Sequence, residues 1–211
     1  MAGSTHNSSR VVGIILAAGT GSRMGRTKQL LPFKGRPLLT HTIEQGLSAG
    51  LAPLILVLGH RADKIQARLS PFSLDLVINK DYQSGMSSSI RAGLERLNHL
   101  KGNPFRGALF LLGDQPLVNS ETIQTILTEA GKFPGKIIIP TFRGRRGNPV
   151  YFDQCFFDPL RQLSGDTGGR DLFRQFPRAI HKLPVNTPGI CLDVDTPKDY
   201  ERLCQRTKEE A

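Results

Sequence analysis

Five short stretches of the chain are almost continuously apolar, and segments of mixed polarity separate them. The apolar stretches are residues 11–17, 54–59, 74–78, 108–113 and 136–140. An apolar run of this length, bounded by glycine, proline or polar residues, predicts a strand that is buried on both faces of a sheet. Helices are predicted for the segments between them, residues 38–49, 62–69, 87–97 and 120–130. Strands that alternate with helices at this spacing predict right-handed crossovers and a mainly parallel sheet.

The regular pattern fades after residue 140. The predicted elements there are a short strand over 148–152, helical segments within 159–176, a late strand over 190–194 and a last helix over 198–206. Asp195 or Thr196 is the expected cap of the last helix, with Pro197 in its first turn. Ser120 is the expected cap of the helix that begins there.

Length and composition favour one domain. With 211 residues, 38% of them apolar, the chain suffices for one well-buried core and is short for two typical domains. We expect a single domain over residues 11–206, a disordered tail at 1–10 and a second tail at 207–211. No apolar run approaches the ~20 residues that span a bilayer, and residues 1–10 lack an apolar signal core. We therefore expect a monomeric, cytoplasmic protein without a membrane partner.

The chain contains three cysteines and an excess of basic residues. The cysteines are odd in number and widely spaced, which argues against a disulfide framework and a zinc site. The formal net charge of +10 favours polyanionic partners. Only 7% of the residues are aromatic, and the aromatic pattern of RNA-binding domains is missing. A phosphorylated small molecule is therefore a better candidate partner than a nucleic acid.

The first predicted strand runs into residues 17–25, which we call the glycine-rich turn. Small residues there let the backbone wrap closely around phosphate groups and present N–H donors to them. Arg23 within this turn and Lys28 shortly after it add positive charge. Its three glycines, spaced two and four residues apart, match neither the Walker nor the dinucleotide-binding pattern. Taken alone, the turn is explained equally well by an ordinary structural role.

Carboxylates follow two other strands at the same expected edge of the sheet. Asp114 comes directly after the fourth strand, while Asp193 and Asp195 belong to the last predicted strand and its end, where alternation turns them to one face. Open α/β sheets bind ligands at the carboxyl ends of their strands. Carboxylate oxygens suit Mg²⁺, with water and substrate phosphates completing its shell. Two alternatives to metal binding stay open: Asp114 could be an ordinary turn residue, and Asp195 could be a helix cap.

Six motifs, taken in order, resemble the molybdenum cofactor nucleotidyltransferases. They lie at residues 16–28, 85–94, 113–116, 146–150, 165–170 and 193–197. The sequence is most similar to the CTP:molybdopterin cytidylyltransferase branch of that family. It reads Leu-Ala-Ala-Gly at residues 16–19, where the guanylyltransferase branch has Leu-Ala-Gly-Gly.

The resemblance implies a Rossmann-like, three-layer α/β/α nucleotidyltransferase fold with a mostly parallel sheet. It implies Mg²⁺-dependent transfer of CMP from CTP to the terminal phosphate of molybdopterin, with release of pyrophosphate. The implied partners are CTP, molybdopterin and a molybdoenzyme or its maturation chaperone.

The resemblance also implies roles for particular residues. The implied nucleotide site comprises Leu16, Ala17, Ala18, Gly19, Gly21, Arg23, Lys28, Gly85, Ser89 and Asp114. The implied catalytic residues are Arg23, Lys28 and Asp114. The implied metal ligands are Asp114 and Asp195, with Asp193 as a further candidate. The implied acceptor site comprises Gln115, Asn148, Pro149, Asp166 and Arg170.

The implied reaction needs no protein base, because an acceptor phosphate is already anionic at neutral pH. Positioning of the reactants and neutralisation of charge are what accelerate such transfers. Lys28 is accordingly expected to act on the triphosphate without contributing to the stability of the fold. Three alternatives stay open: a related transferase that uses GTP or a sugar phosphate, a non-catalytic carrier of the cofactor, and a protein that binds nucleic acid.

Overall fold

The computed structural model describes residues 10–69, 72, 74–100, 105–166 and 168–209. Its strands are β1 (Val11–Ala17), β2 (Pro32–Phe33), β3 (Arg36–Pro37), β4 (Leu54–Leu58), β5 (Asp75–Ile78), β6 (Gly107–Leu112), β7 (Ile137–Phe142), β8 (Arg145–Arg146), β9 (Val150–Asp153) and β10 (Ile180–Pro184). Its α-helices are α1 (Leu38–Ser48), α2 (Ala62–Arg68), α3 (Met86–Leu97), α4 (Ser120–Lys132), α5 (Phe157–Arg161), α6 (Arg170–Gln175) and α7 (Pro197–Glu209).

Eight of the strands form one sheet, and β2 and β3 form a separate hairpin. The order across the sheet is β10, β7, β9, β6, β1, β4, β5, with β8 beside β7. β1 runs parallel to both β4 and β6, whereas β9 runs antiparallel to β6 and β7. The mostly parallel sheet that the apolar pattern predicts is therefore present. The loops after β1, β4 and β6 consequently leave the sheet at the same edge.

The core has two halves, one on each face of the sheet. Ile15 of β1 packs in a cluster with residues of α1, α2 and α4, such as Ile43 and Ile123. Ile14, the preceding residue, packs on the other face with residues of α3, α5 and α6, such as Leu94. Successive side chains of a strand point to opposite faces, so a strand in the middle of three layers must be apolar throughout.

The sequence prediction was wrong about the strand at residues 190–194. This segment begins with a short 3₁₀ helix, Pro188–Cys191, and contains no strand. Ile190 and Val194 are buried, so their apolar character reflects packing rather than a sheet. The strand that does occur late in the chain is β10, which the prediction missed. It lies at the edge of the sheet and is only partly buried, which gives it a weak apolar pattern.

Two helix ends also differ from the sequence prediction. Asn119, rather than Ser120, caps α4, because its side chain accepts a hydrogen bond from Thr122 N at 2.9 Å. Helix α7 continues to Glu209, so the expected C-terminal tail begins within a helix. The predicted N-terminal tail lies outside the described residues except for Arg10, and the division into one domain and two tails stays a prediction. No helix among the described residues has the length and apolarity that a membrane crossing requires.

We predict that Gly107→Ala destabilises the protein and that Gly131→Ala does not. A Cβ at Gly107 would overlap the ring of the fully buried Tyr151, whereas a Cβ at Gly131 in α4 would only touch the guanidinium of Arg106 at 3.4 Å. Overpacking costs about 1–3 kcal/mol, while replacing a helical glycine near the end of α4 gains up to about 0.5 kcal/mol. Urea denaturation measures both changes. Equal stability of the two variants would contradict this account of the β6–β9 packing.

Candidate functional site

The candidate site is a cleft of about 960 Å³ at the carboxyl ends of the parallel strands. Each of the six sequence motifs contributes to its lining, and so does every residue of the predicted nucleotide site. The sequence interpretation missed Tyr82, Gln83 and Gln29, which also line the cleft. Tyr82 and Gln83 lie three and two residues before the motif at residues 85–94. That proximity is the only sequence signal for these two residues.

Backbone geometry and one buried amide shape the glycine-rich turn. Gly21 and Gly25 have φ angles of 61° and 62°, a left-handed region that glycine adopts without the steric cost other residues meet. The amide of Gln29, which is 3% exposed, donates a hydrogen bond to Ala17 O at 2.9 Å and contacts a second carbonyl of the turn. Thr20 makes no hydrogen bond to any residue that the structure describes. Its N–H and hydroxyl groups are therefore available to a ligand such as a phosphate.

Lys28 bridges two carboxylates that lie 86 and 167 residues further along the chain. Its Nζ atom is 2.5 Å from Asp114 Oδ2 and 2.9 Å from Asp195 Oδ1. The side chains of Lys28 and Asp114 are 13% and 17% exposed, and that of Asp195 is 48% exposed. Burial lowers the pKa of Lys28, but the two carboxylates outweigh burial and raise that pKa above its ordinary value. We call these three residues the lysine–carboxylate cluster.

The segment before α7 is fastened to the end of β6, and this brings Asp195 to Lys28. The backbone carbonyl of Asp114 accepts a hydrogen bond from Val194 N at 3.1 Å. Val194 is buried in a small cluster with Leu203 of α7, Phe33 of the β2–β3 hairpin and Leu38 of α1. Asp195 follows Val194 directly, so it reaches the cleft although no strand carries it.

A capping box at the start of α7 involves Thr196 rather than Asp195. The backbone N–H and the hydroxyl of Thr196 donate to Asp199 Oδ2 at 2.9 and 2.7 Å, and Asp199 N donates to Thr196 Oγ1 at 3.3 Å. These hydrogen bonds lower the pKa of Asp199, with the Thr196 hydroxyl as the main cause. The carboxylate of Asp195 is not used as the cap and faces Lys28 instead.

A third carboxylate, Asp193, lies beside the cluster and is held by Gln115. The side chain of Gln115 donates a hydrogen bond from Nε2 to Asp193 Oδ1. Burial raises the pKa of Asp193, and the negative charges of Asp114 and Asp195 add to that effect against the opposing hydrogen bond from Gln115. Gln115 is 1% exposed and does not line the cleft. Gln115 therefore holds Asp193, and its predicted contact with the acceptor stays a prediction.

The donor atoms of the cluster fit a divalent cation. Asp114 Oδ1 is buried and has no hydrogen-bond partner among the described residues, which leaves it available as a ligand. Within the described ranges, no three or more His, Cys, Asp or Glu side chains are grouped so that they could hold a metal ion by themselves. Asp114 and Asp195 would therefore supply two ligands and leave the other positions to water and substrate. Mg²⁺ is usually bound in this manner, through one or two carboxylates and substrate phosphates.

The other predicted acceptor residues are divided between the cleft and its surroundings. Asn148, Asp166 and Arg170 line the cleft, whereas Pro149 is buried outside its lining. Asp166 also accepts a hydrogen bond through Oδ1 from Met86 N at 3.1 Å. The first N–H groups of a helix lack partners within the helix, so Asp166 satisfies one of them in α3. Part of the role of Asp166 is therefore structural, and Pro149 has no place in the cleft wall.

Comparison with known proteins identifies relatives that cover nearly the whole chain. The family model described as the MobA-like NTP transferase domain matches residues 13–181. Nicotine blue oxidoreductase of Paenarthrobacter nicotinovorans is 33% identical over 202 residues, which are 92% of this chain and 96% of the relative. Purine catabolism protein PucB of Bacillus subtilis strain 168 is 25% identical over 201 residues, which are 92% of this chain and 95% of the relative.

Solved structures with the same fold include Rv0371c from Mycobacterium tuberculosis H37Rv. Its crystal structure has a TM-score of 0.83 and 32% sequence identity, covering 93% of this chain and 98% of that protein. The crystal structure of the same protein in complex with manganese has a TM-score of 0.78 and 31% identity, with the same coverage. These similarities confirm the three-layer α/β/α fold that the sequence predicts. They also show that a similar protein binds a divalent cation.

We predict that Lys28→Met lowers the thermal midpoint in the absence of metal, contrary to the sequence expectation that Lys28 does not stabilise the fold. Without the ammonium, Asp114 and Asp195 repel each other, and Asp114 is left as an uncompensated, mostly buried charge. We expect a loss of about 1–3 kcal/mol, below the cost of breaking a fully buried pair. Mn²⁺ should restore part of it, because a ligand that binds the folded state stabilises that state.

Thermal unfolding with and without Mn²⁺ measures both effects. Lys132→Met is the matched control, because it removes only an ion pair between Glu129 and a lysine that is 61% exposed. Its midpoint should stay close to that of the wild type in both conditions. If the Lys28→Met protein and the wild type have the same thermal midpoint in the absence of metal, the cluster does not stabilise the fold.

Proposed function

The chain is a nucleotidyltransferase that belongs to the family of MobA-like NTP transferase domains, and we propose that it transfers CMP from CTP to the terminal phosphate of molybdopterin, with release of pyrophosphate. The lysine–carboxylate cluster beside the glycine-rich turn, in one cleft, is the observation that carries this proposal. The turn offers unpaired donors to an anionic triphosphate, and the cluster offers ligands to the cation that accompanies it.

The choice of CTP rests on the first residues of the cleft. Ala17 and Ala18 are each 4% exposed and form the floor next to Leu16 and Gly19. The sequence of these four residues resembles the cytidylyltransferase branch. The small side chains of Ala17 and Ala18, and the absence of a side chain at Gly19, leave room for a nucleoside close to the backbone. In the proposed complex, Gly85 and Ser89 at the start of α3 would contact the base from another wall of the cleft.

Arg23 and Lys28 would bind the triphosphate. Arg23 is an exposed residue of the glycine-rich turn. Lys28 has a flexible stem, and Asp114 and Asp195 hold its ammonium when no phosphate is present. Phosphate oxygens would compete with these carboxylates for the ammonium. When held by Asp114 and Asp195, Mg²⁺ supplies charge neutralisation at the reacting phosphate and the pyrophosphate leaving group.

The proposed reaction forms one P–O bond and breaks another. An oxygen of the acceptor's terminal phosphate forms a bond to the α-phosphorus of CTP, and the bond from that phosphorus to the β-phosphate oxygen breaks. The acceptor oxygen is already anionic, so this step needs no general base. Arg23 and Lys28 neutralise the negative charge that accumulates on the departing pyrophosphate, which is the main contribution a protein makes to such transfers.

The acceptor would lie at the side of the cleft formed by Asn148 and Arg170. The guanidinium of Arg170 is suited to a phosphate oxygen, and the amide of Asn148 can both donate and accept hydrogen bonds. We propose molybdopterin as the acceptor and a molybdoenzyme or its maturation chaperone as the recipient of the product. A monomer that acts in the cytoplasm on Mg²⁺-bound CTP remains part of this proposal.

We predict that pyrophosphate release in the presence of Mg²⁺ and molybdopterin is fastest with CTP. The wild-type protein should be incubated with CTP, GTP, ATP and UTP in turn, with a sugar phosphate as the alternative acceptor. A preference for CTP over GTP of about tenfold or more is expected when a site hydrogen-bonds one base edge. Equal or faster release from GTP would contradict the assignment of CTP but not the transfer reaction. Release with the sugar phosphate and not with molybdopterin would contradict the assignment of the acceptor.

We predict that Asp114→Asn lowers the rate of pyrophosphate release by a factor of about 100 or more, because it removes a charged metal ligand and costs on the order of 3 kcal/mol. Asp158→Asn is the matched control, since Asp158 is 83% exposed in a local pair with Arg161. Circular dichroism establishes that both variants are folded. If Asp114→Asn leaves transfer of the cofactor to a molybdoenzyme unchanged, the protein is a carrier rather than a catalyst.

A further inference from the structure

Asn79 is a buried polar residue that lies outside all six sequence motifs. It follows β5, is 5% exposed, and donates its backbone N–H to Leu58 O at 2.7 Å. Its side chain contacts three groups. Oδ1 accepts a hydrogen bond from Asp81 N at 2.9 Å, and Nδ2 donates to Ser88 Oγ at 2.8 Å and to Ser89 Oγ at 3.1 Å. The amide therefore joins the end of β5 to the first turn of α3.

The orientation of this amide follows from its partners. A backbone N–H can only donate, so the oxygen of the Asn79 amide must face Asp81, and its NH₂ group must face the two serines. Both serine oxygens are consequently acceptors. Each hydroxyl retains one hydrogen that it can donate to another group.

The two hydroxyl hydrogens have different destinations. Ser88 donates its hydrogen to Gly85 O at 2.8 Å, within the first turn of the helix. For the hydrogen of Ser89, no acceptor is found among the residues that the structure describes. Ser89 lines the cleft and Ser88 does not. Asn79 thus leaves Ser89 with a hydrogen that it can donate to a ligand in the cleft.

We propose that Asn79 is a positioning residue that fixes the Ser89 hydroxyl as a hydrogen-bond donor to the base of the bound nucleotide. Cytosine carries two adjacent acceptors, O2 and N3, on its pairing edge. The guanine edge that holds N1 and N2 presents N–H donors instead. A fixed donor therefore favours cytosine and leaves a donor of guanine without a partner, which is costly in a buried site. The inference rests on the proposed function, since it requires a nucleoside triphosphate in the cleft.

The substitution Asn79→Asp should turn the Ser89 hydroxyl from a donor into an acceptor toward the cleft, with little change in side-chain volume. The introduced carboxylate can accept from Asp81 N and from both serine hydroxyls, because it has no hydrogen to donate when ionised. Ser89 would then donate to that carboxylate and turn its lone pairs toward the cleft. A hydroxyl in that state matches a guanine N–H and no longer matches the acceptors of cytosine.

Binding of CTP and of GTP, each with Mg²⁺ and without acceptor, tests the proposal by titration calorimetry. Ser89→Ala should weaken CTP binding about 3- to 10-fold, the usual effect of one neutral hydrogen bond. Ser88→Ala is the matched control, because it removes the same hydroxyl one residue away, and it should change CTP binding by less than about twofold. Asn79→Asp should weaken CTP binding and strengthen GTP binding relative to CTP. In the Asn79→Asp, Ser89→Ala double variant the two effects should not add, because they act through one group.

Several outcomes would overturn the inference. If Ser89→Ala binds CTP with wild-type affinity, the Ser89 hydroxyl does not contribute to binding. If Ser88→Ala loses as much CTP affinity as Ser89→Ala, the effect is not specific to the hydroxyl that faces the cleft. Equal weakening of CTP and GTP by Asn79→Asp would indicate a structural role alone. If Asn79→Asp does not fold, the CTP affinities of Ser88→Ala and Ser89→Ala still test whether the Ser89 hydroxyl donates to the nucleotide. If the wild type binds no nucleoside triphosphate, the proposed function fails and this inference fails with it.

Discussion

The bridge from Lys28 to Asp114 and Asp195 is the interaction on which the rest of the site depends. It joins the short 3₁₀ helix that follows the glycine-rich turn, the end of β6 and the segment before α7, which are far apart in the sequence. With Asp193 nearby, three carboxylates face one ammonium, and repulsion among the carboxylates must be offset by a cation. The arrangement is stable as it stands and is also suited to an incoming divalent cation. In the proposed reaction, cation binding and phosphate binding would both act on Lys28, because phosphates would attract the ammonium that the carboxylates otherwise hold.

The cleft walls are connected to each other as well as to the sheet. Ser87 N donates to Gly165 O at 3.2 Å, and a Cβ at Gly85 would overlap the backbone of Gly165. The turn proposed to contact the acceptor therefore rests directly on the first turn of α3, which is proposed to contact the base. Close backbone packing of this kind requires glycine at position 85, where φ is also 94°.

The sequence was informative where the physical signal is local. Continuous apolar runs identified β1, β4 and β6, because a strand covered on both faces admits few polar residues. Edge strand β10 was missed because its partial burial gives it a weak apolar pattern. Ile190 and Val194 were wrongly predicted to lie in a strand, because residues buried by loop packing are as apolar as those of a strand. The ion pairs of Lys28 and the hydrogen bonds of Asn79 depend on side chains brought together by the whole fold. No spacing rule within one segment contains that information.

The fate of labelled phosphate in CTP tests the central claim most directly. The protein should be incubated with Mg²⁺, molybdopterin and CTP that carries ³²P at either the α or the γ position. Transfer of a nucleotidyl group predicts that the α label appears in a molybdopterin product and the γ label in pyrophosphate. Appearance of the γ label in the acceptor would indicate phosphoryl transfer instead, and recovery of both labels in unreacted CTP would show that the cleft does not catalyse this reaction.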